Sequence, residues 1–264
     1  MQTNHREIFE TKNMYTISII IPTFNEAENI ISLLDKIKEN LVHNVFTEII
    51  IVDDNSPDGT SSIVQKYIDS DLDSKRRNVN FKENLYSIKI INRRIKNGLI
   101  PAILEGVKAS QGDYVLIMDA DFSHPPEMIP KIIDKSLGNS NSIVIASRYT
   151  KNGSIVGWPF KRRMISKAAA VIAKFGLNVN NVTDPMSGFF AVPRPIIENL
   201  KIDTKGYKIL LEILVKSKDI PIFEIPYTFM DRKSGKSKMG SSVIFDYISS
   251  VWQLYRYGRT QQKK

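Results

Sequence analysis

Five short runs of β-branched and aliphatic residues, each separated from the next by a stretch with apolar residues at helical spacing, limit what this chain can fold into. The runs are Ile17–Ile21, Glu48–Val52, Ile88–Ile91, Tyr114–Met118 and Ile143–Ala146. Between them the spacing predicts helices over Ala27–Glu39, Ser61–Ile68, from Gly98 to Ala109, and over Glu127–Leu137. In the first helix Ile30, Leu33, Leu34 and Ile37 share a face, with Asn25 expected as N-cap and Glu28 three residues on. Strands this continuously apolar are buried on both faces. The expectation is therefore an α/β domain with a mostly parallel sheet and helices on both faces. Residues 1–15 read as a flexible leader. The polar stretch Ser70–Ser87, with Lys75-Arg76-Arg77 inside it, reads as a loop insertion.

In such sheets ligands sit outside the carboxyl ends of the strands. The chemically rich segments PTFNE, DDNSPDGT and DADFSHPP each directly follow a strand. No G-x-G-x-x-G follows the first strand, which disfavours a dinucleotide site. Gly235-Lys236-Ser237 resembles the end of a phosphate loop, but Met230 stands where its first glycine would be. There is no H-E-x-x-H, and His5, His43 and His124 are scattered, so zinc hydrolysis has little support.

Asp119-Ala120-Asp121 can turn both carboxylates to one side, because alternate residues of an extended segment share a face. Two hard oxygen ligands suit Mg²⁺ or Mn²⁺ when substrate phosphates complete the shell; a solvated acidic loop is the plain alternative. Asp54 is either a nucleoside contact or structural, and Asp58 is read as the cap of the helix that begins with Thr60 and Ser61.

The 264 residues carry a net charge of +9, which fits nucleic acid, anionic lipid or small phosphorylated ligands. The chain has no cysteine, so neither disulfides nor thiolate chemistry enter. The opening MQTNHREIFETKNMY lacks the apolar core of a signal peptide, and no segment approaches the ~18 apolar residues of a bilayer span. That leaves peripheral association, or membrane helices supplied by a longer product or a partner. Gly157–Leu177 places Ile165, Ala169, Ile172 and Phe175 at helical spacing beside Lys161, Arg162, Arg163, Lys167 and Lys174. Val243–Tyr257 is amphipathic and aromatic-rich. Either helix can serve a membrane interface or pack on the protein's own core.

Taken together the segments resemble the GT-A-type family 2 glycosyltransferases, and within them the dolichol-phosphate mannose synthase group. The match runs in order through residues 16–240. It is carried by Pro22-Thr23-Phe24-Asn25-Glu26, Val52–Thr60, Asp119–Glu127 and Ser147-Arg148-Tyr149. It continues through Gly157-Trp158 with Arg162 and Ser166, Asp184–Phe189, Gly206-Tyr207-Lys208 and Arg232–Lys238. The resemblance implies a GT-A, Rossmann-like catalytic domain over 16–240 and a C-terminal amphipathic interface helix and tail over 241–264.

The resemblance also implies roles. Pro22, Phe24, Glu26, Val52 and Asp54 would hold the nucleoside. Asp119 and Asp121, with Ala120 between them, would bind the metal and the diphosphate. Ser123 stands where some members carry a glutamine as a further contact. Arg148, Arg162 and Ser166 would grip an acceptor phosphate, and Lys208, Arg232 and Lys238 would close over the donor, with Ser234–Met239 as a lid. Arg76, Arg77, Arg93, Arg94 and Arg259 read as solvated surface charges.

The implied reaction is an inverting transfer of mannose from GDP-mannose to a dolichyl or polyprenyl phosphate. It would run with Mg²⁺ or Mn²⁺ on the cytoplasmic face of a membrane, the protein being peripheral and able to use a transmembrane partner subunit. A lipid phosphate is already an anion, so it needs positioning more than a catalytic base. A UDP-glucose-dependent polyprenyl-phosphate glucosyltransferase is the alternative of the same fold. A nucleic-acid binder is the alternative of another class. It is disfavoured because carboxylates crowd the strand ends where nucleic-acid phosphates would approach.

Overall fold

The computed structural model describes residues 15–77, 85–203, 208–231 and 241–261. Its central sheet has seven strands: β1 (Tyr15–Thr23), β2 (Val45–Asp53), β3 (Tyr86–Asn92), β4 (Tyr114–Ile117), β5 (Ile143–Ser147), β7 (Phe190–Pro193) and β8 (Ile222–Pro226). They lie in the order β3-β2-β1-β4-β7-β5-β8. β7 runs antiparallel to both β4 and β5, and every other pairing is parallel. A two-stranded parallel pair, β6 (Ser154–Val156) and β9 (Thr228–Met230), stands apart.

Strand residues alternate between two cores. Ile17, Ile19, Ile21, Ile49, Ile51 and Leu116 pack with the apolar faces of α1 (Ile30–Glu39), α2 (Thr60–Arg77) and α4 (Ile129–Leu137). Ile20, Ile50, Val52, Val115 and Ile117 pack on the other side. There they meet α3 (Leu99–Ala109), α5 (Phe160–Leu177), α6 (Arg194–Asn199), α7 (Ile209–Lys216) and α8 (Ser241–Gln261). This period of two is why the strand sequences look apolar throughout: each side of the sheet has its own core.

Two expectations about elements change. α1 begins at Ile30 rather than Ala27, and Asn25 does not cap it: its φ is +60°. Ser70–Arg77 is not loop but the last two turns of α2. Asp71 ties that part to the body, accepting from Lys38 Nζ at 2.8 Å and from the Tyr86 hydroxyl at 2.7 Å.

Going outward from the centre, β1 has β2 on one side and β4 on the other, so the chain's connections diverge between β1 and β4. A crevice opens there at the carboxyl edge. Because β7 is antiparallel, the segment before it, Asp184–Phe189, arrives at that same edge beside the ends of β4, β5 and β8.

Candidate active site

The loops after β1 and β2 are fastened to each other. The backbone N–H groups of Asn25, Glu26 and Ala27 donate to Ser56 Oγ, Thr60 Oγ1 and Asp58 Oδ2, each at 3.0 Å. Asp58 also caps α2, as expected, accepting from the Thr60 N–H at 3.0 Å and its hydroxyl at 2.6 Å. Pro22 and Val52 face each other in the register of these strands. Phe24 lies half-buried beyond β1 with Lys96 Nζ 3.3 Å from its ring centroid. The Glu26 carboxylate accepts from Asn29 Nδ2 at 2.8 Å.

Asp54 is buried and occupied. It accepts from the Asn97 N–H at 3.0 Å, the Gly98 N–H at 2.8 Å and the guanidinium of Arg93. Arg93 is therefore not a solvated charge: only 9% of its side chain is exposed, and it pairs with Asp54 and Glu105. The gap of 39 residues between Arg93 and Asp54 is bridged by β2 pairing with β3.

The carboxylate pair sits where β4 ends. Met118 N–H still donates to the Ile20 carbonyl, and the chain then turns through Phe122, whose φ is +61°. The Asp119 N–H donates to His124 Nδ1 at 2.8 Å, so the imidazole hydrogen belongs on Nε2, 3.8 Å from Asp119 Oδ2. Burial lowers the His124 pKa in spite of Asp119 and Asp121 nearby, keeping the ring neutral. The ring stacks on Phe189 with centroids 4.9 Å apart. A Cβ at Gly188 would stand 3.1 Å from His124 Cε1 and 3.7 Å from Asp119 Oδ2, which is why this wall takes glycine. In front of the wall the Asp119 side chain stays 42% exposed. Asp121 Oδ1 accepts from the Ser123 N–H at 3.1 Å, and Ala120 is buried between the two acids.

Arg148, just past β5, is held by Asp184. Its backbone N–H and Nε donate to Oδ2 at 3.0 and 2.8 Å, and Nη2 donates to Oδ1 at 2.8 Å. Burial disfavours the charge, but the Asp184 carboxylate outweighs it and raises the arginine's pKa. Asp184 is positioned from β8: the N–H groups of Thr183 and Asp184 donate to Glu224 at 2.8 and 2.9 Å. Trp158, Tyr149 and Phe229 surround the guanidinium, their ring centroids 5.4 to 5.7 Å away.

Arg162 and Ser166 reach the same neighbourhood from α5. The Arg162 guanidinium lies 4.1 Å from the Trp158 ring centroid and is 3.1 Å from Asp231. The Tyr149 hydroxyl donates to Ser166 Oγ at 2.8 Å. The indole Nε1 of Trp158 is buried with no hydrogen-bond partner. Lys208 opens α7. Burial and the charge of Arg148 push its pKa down to about 8, against the opposite pull of Asp184 and Asp119. The structure thus gathers Asp119, Asp121, Arg148 and Lys208 around one crevice, while Asp54 and Phe24 mark its other end. Arg232, Lys238, the lid Ser234–Met239, Gly206 and Tyr207 lie outside the described residues.

Four groups of this site were not foreseen: His124 as the wall of the carboxylate loop, Asp184 and Glu224 as the chain that holds Arg148, and Asp231 as the partner of Arg162. Two of them carried a sequence signal: His124, five residues from Asp119, and Asp184, which opens one of the segments that carry the resemblance.

A mostly parallel sheet with an acid pair after its fourth strand, beside the point where the connections diverge, defines a nucleotide-diphospho-sugar transferase of the GT-A type. The profile of glycosyl transferase family 2 matches residues 18–201, and the chain belongs to that family: it is a glycosyltransferase. Among its relatives is the dolichol-phosphate mannosyltransferase of Pyrococcus furiosus, 39% identical over 91% of this chain and 64% of that protein. This chain therefore spans just under two thirds of that relative. The enzymes of the same name from Mycosarcoma maydis and Saccharomyces cerevisiae are 33% and 32% identical. They align over 94% and 90% of this chain and over 82% and 86% of their own lengths. Among solved structures, glucosyl-3-phosphoglycerate synthase from Mycobacterium tuberculosis, in complex with Mn²⁺, UDP-glucose and phosphoglyceric acid, superposes with a TM-score of 0.67. It is 18% identical and covers 91% of this chain and 80% of that one, a likeness of fold.

Proposed function

We propose that this chain transfers mannose from GDP-mannose to a dolichyl or polyprenyl phosphate, with inversion at the sugar carbon, at a membrane surface. The observation that carries the reading is the placement of Asp119, its carboxylate open to the crevice against a buried His124–Phe189 wall. Relatives named dolichol-phosphate mannosyltransferase on three separate alignments support the sugar and the acceptor.

The residues present fit a hard divalent cation. Asp119 and Asp121 offer oxygen donors, and Ser123 Oγ is buried beside them without a hydrogen-bond partner. Among the described residues no cluster of three or more His, Cys, Asp or Glu surrounds the pair. Two carboxylate donors suit Mg²⁺ or Mn²⁺, which leave coordination positions to substrate phosphates. The Mn²⁺ in the related fold supports the choice of a divalent ion. Bound there, the cation would neutralise charge developing on the leaving diphosphate.

The chain's own groups do the rest. The loops fastened by Ser56, Asp58 and Thr60 present Phe24 and Glu26 to the nucleoside. Asp54 acts on it through Arg93 and the Asn97–Gly98 amides that it holds. Lys208, Arg232 and Lys238 close on the donor. Arg162 and the Ser166 hydroxyl, whose own hydrogen Tyr149 leaves available, hold the acceptor phosphate beside Arg148. Already an anion, that phosphate attacks the sugar carbon without a general base.

The exposed apolar residues of α5, Phe160 (77%) and Phe175 (76%) among them, support the membrane surface. Among the described residues no helix is long and apolar enough to cross a bilayer. We place the protein on the cytoplasmic face as a peripheral catalytic unit, with residues 16–240 as the catalytic domain.

The test is transfer to a radiolabelled short-chain polyprenyl phosphate from GDP-mannose or UDP-glucose, with Mn²⁺ or with chelator. We expect transfer from GDP-mannose that needs the cation, and a loss of about 100-fold or more in Asp119→Asn and Asp121→Asn. Transfer from UDP-glucose alone, or full activity of either variant in chelator, overturns the reading.

A further inference from the structure

A cavity of ≈ 410 Å³ lies between the loop after β5 and one edge of α5. Arg163, Lys167 and Lys174 line it from the helix, Arg148 and Thr183 from the loops after β5 and before β7. Among the described residues no acidic one lines it. Arg148 is neutralised by Asp184, but Arg163, Lys167 and Lys174 have no ion-pair partner among the described residues. Three cations of one sign around a concavity repel one another unless an anion sits among them.

The helix geometry says what kind of anion. Positions 163, 167 and 174 follow the i, i+4, i+11 spacing and form one stripe along α5. The adjoining stripe is Phe160, Met164, Val171 and Phe175, exposed by 77%, 51%, 51% and 76%. Beyond the cations, on the opposite side, the helix turns Ala170, Ala173 and Leu177 into the core. The cations thus stand between the cavity and an open apolar face, with Val171 bordering both. α8 packs beside α5 and adds Trp252, 60% exposed, with the Arg256 guanidinium 4.8 Å from its ring centroid. An inorganic or sugar phosphate would use the cavity and leave the apolar stripe bare. An amphiphile with an anionic head uses both.

We propose that this cavity seats the phosphate headgroup of an anionic phospholipid, its tails lying along Phe160, Met164, Val171 and Phe175. The site adjoins the acceptor-phosphate grip at Arg162 and Ser166, with Arg148 and Tyr149 between the two, and it rests on the membrane-surface reading above. Its effect is to set α5 at a fixed depth and rotation on the bilayer. This would be the surface's lipid preference, distinct from the substrate lipid.

The experiment is flotation of the full chain with vesicles of phosphatidylcholine alone or mixed with phosphatidylglycerol. Parent protein is compared with Lys167→Gln/Lys174→Gln and with a charge-matched control, Lys108→Gln/Lys131→Gln, whose lysines are exposed elsewhere. We expect the cavity variant to lose roughly 10–30-fold of the phosphatidylglycerol-dependent partitioning, at about a kcal/mol per lysine, and the control to keep most of it. Its thermal midpoint should match the parent's, since neither lysine has an ion pair to lose. Equal losses in the two variants would reduce the effect to long-range charge and overturn the site, as would no loss in either.

A second measurement separates lipid headgroup from acceptor. Without vesicles, transfer to a water-soluble short-chain polyprenyl phosphate should have an unchanged KM in the cavity variant; a raised KM would assign the cavity to the acceptor and overturn the proposal. If the parent transfers no sugar but its phosphatidylglycerol preference still depends on Lys167 and Lys174, the proposed reaction fails and the headgroup site stands.

Discussion

At the scale of single residues, the Arg148–Asp184 pair shows how much of this site is built from groups that satisfy one another. Asp184 is fully buried and Arg148 is 8% exposed, so neither charge has water to fall back on. Removing one partner leaves the other buried and uncompensated, which costs about 3–5 kcal/mol in such pairs. Asp184→Ala should therefore lower the unfolding free energy by roughly that much, measured by denaturant titration, and should abolish transfer as well. Lys208 gives a pH signature of a different kind. Its pKa is pushed from 10.5 down to about 8 in the fold. Below pH 8 the amine is protonated whether the chain is folded or not, and its burial penalty is present in full. Between about 8 and the ordinary lysine value, the folded chain has released a proton that the unfolded chain keeps. Stability must then rise with pH across that window. In metal-free buffer, thermal midpoints from pH 7.5 to 10.5 should show a rise that Lys208→Met lacks, against the same background of other lysines.

At the scale of elements, the strands of the chain's first half and the amphipathic helices α5 and α8 were legible, whereas β6 to β9 were not. Each of β1 to β5 contains the apolar run that signalled it, save that Met118 lies just past β4, because a sheet covered on both sides is mostly apolar, a polar residue such as Ser18 being partnered by Glu48. The loop chemistry after β1, β2 and β4 could be read for the same reason: it is local in sequence. β7 could not. Its four residues, Phe190–Pro193, run straight into α6, and nothing local tells that they enter the sheet backwards between β4 and β5. That insertion is what delivers Asp184 to Arg148 across 36 residues and Glu224 to Thr183 across 41. Arg93 was misread for the same reason, its partner being on another strand. Asn25 was misread differently. It has the residue type of a helix cap, but the turn needed there is left-handed, and the donors after it are satisfied from the loop after β2. Asp58 is the joint of that arrangement, serving α2 and the β1 loop at once. Asp58→Ala should cost about 1–2 kcal/mol as a lost cap. It should also weaken binding of a fluorescent guanine nucleotide, with the KM for GDP-mannose rising more than kcat falls. A variant that loses stability alone would make Asp58 a helix cap and nothing more.

At the scale of the whole molecule, the donor site is divided between loops that belong to different parts of the sheet. Phe24, Glu26 and Asp54 lie at the ends of β1 and β2, whereas Asp119 and Asp121 follow β4 and Lys208 opens α7. A diphosphate that reaches from one group to the other ties these parts together, and a cation between it and the acids completes the tie. Nucleotide alone would meet two carboxylates that repel its phosphates, and cation alone would find only two protein carboxylates. Each should therefore bind weakly without the other. Binding to the folded chain at about a hundred times Kd adds about 2.7 kcal/mol to its stability, which for a domain of this size is a rise of roughly 5–10 °C in Tm. We expect GDP with Mn²⁺ to raise the midpoint by that order, and either alone to raise it by a small part of it. The excess of the pair over the sum should vanish in Asp119→Asn/Asp121→Asn while the small effect of GDP alone survives, because the nucleoside end is untouched. Simple addition of the two shifts in the parent protein would mean that the acids do not bridge a cation to the diphosphate.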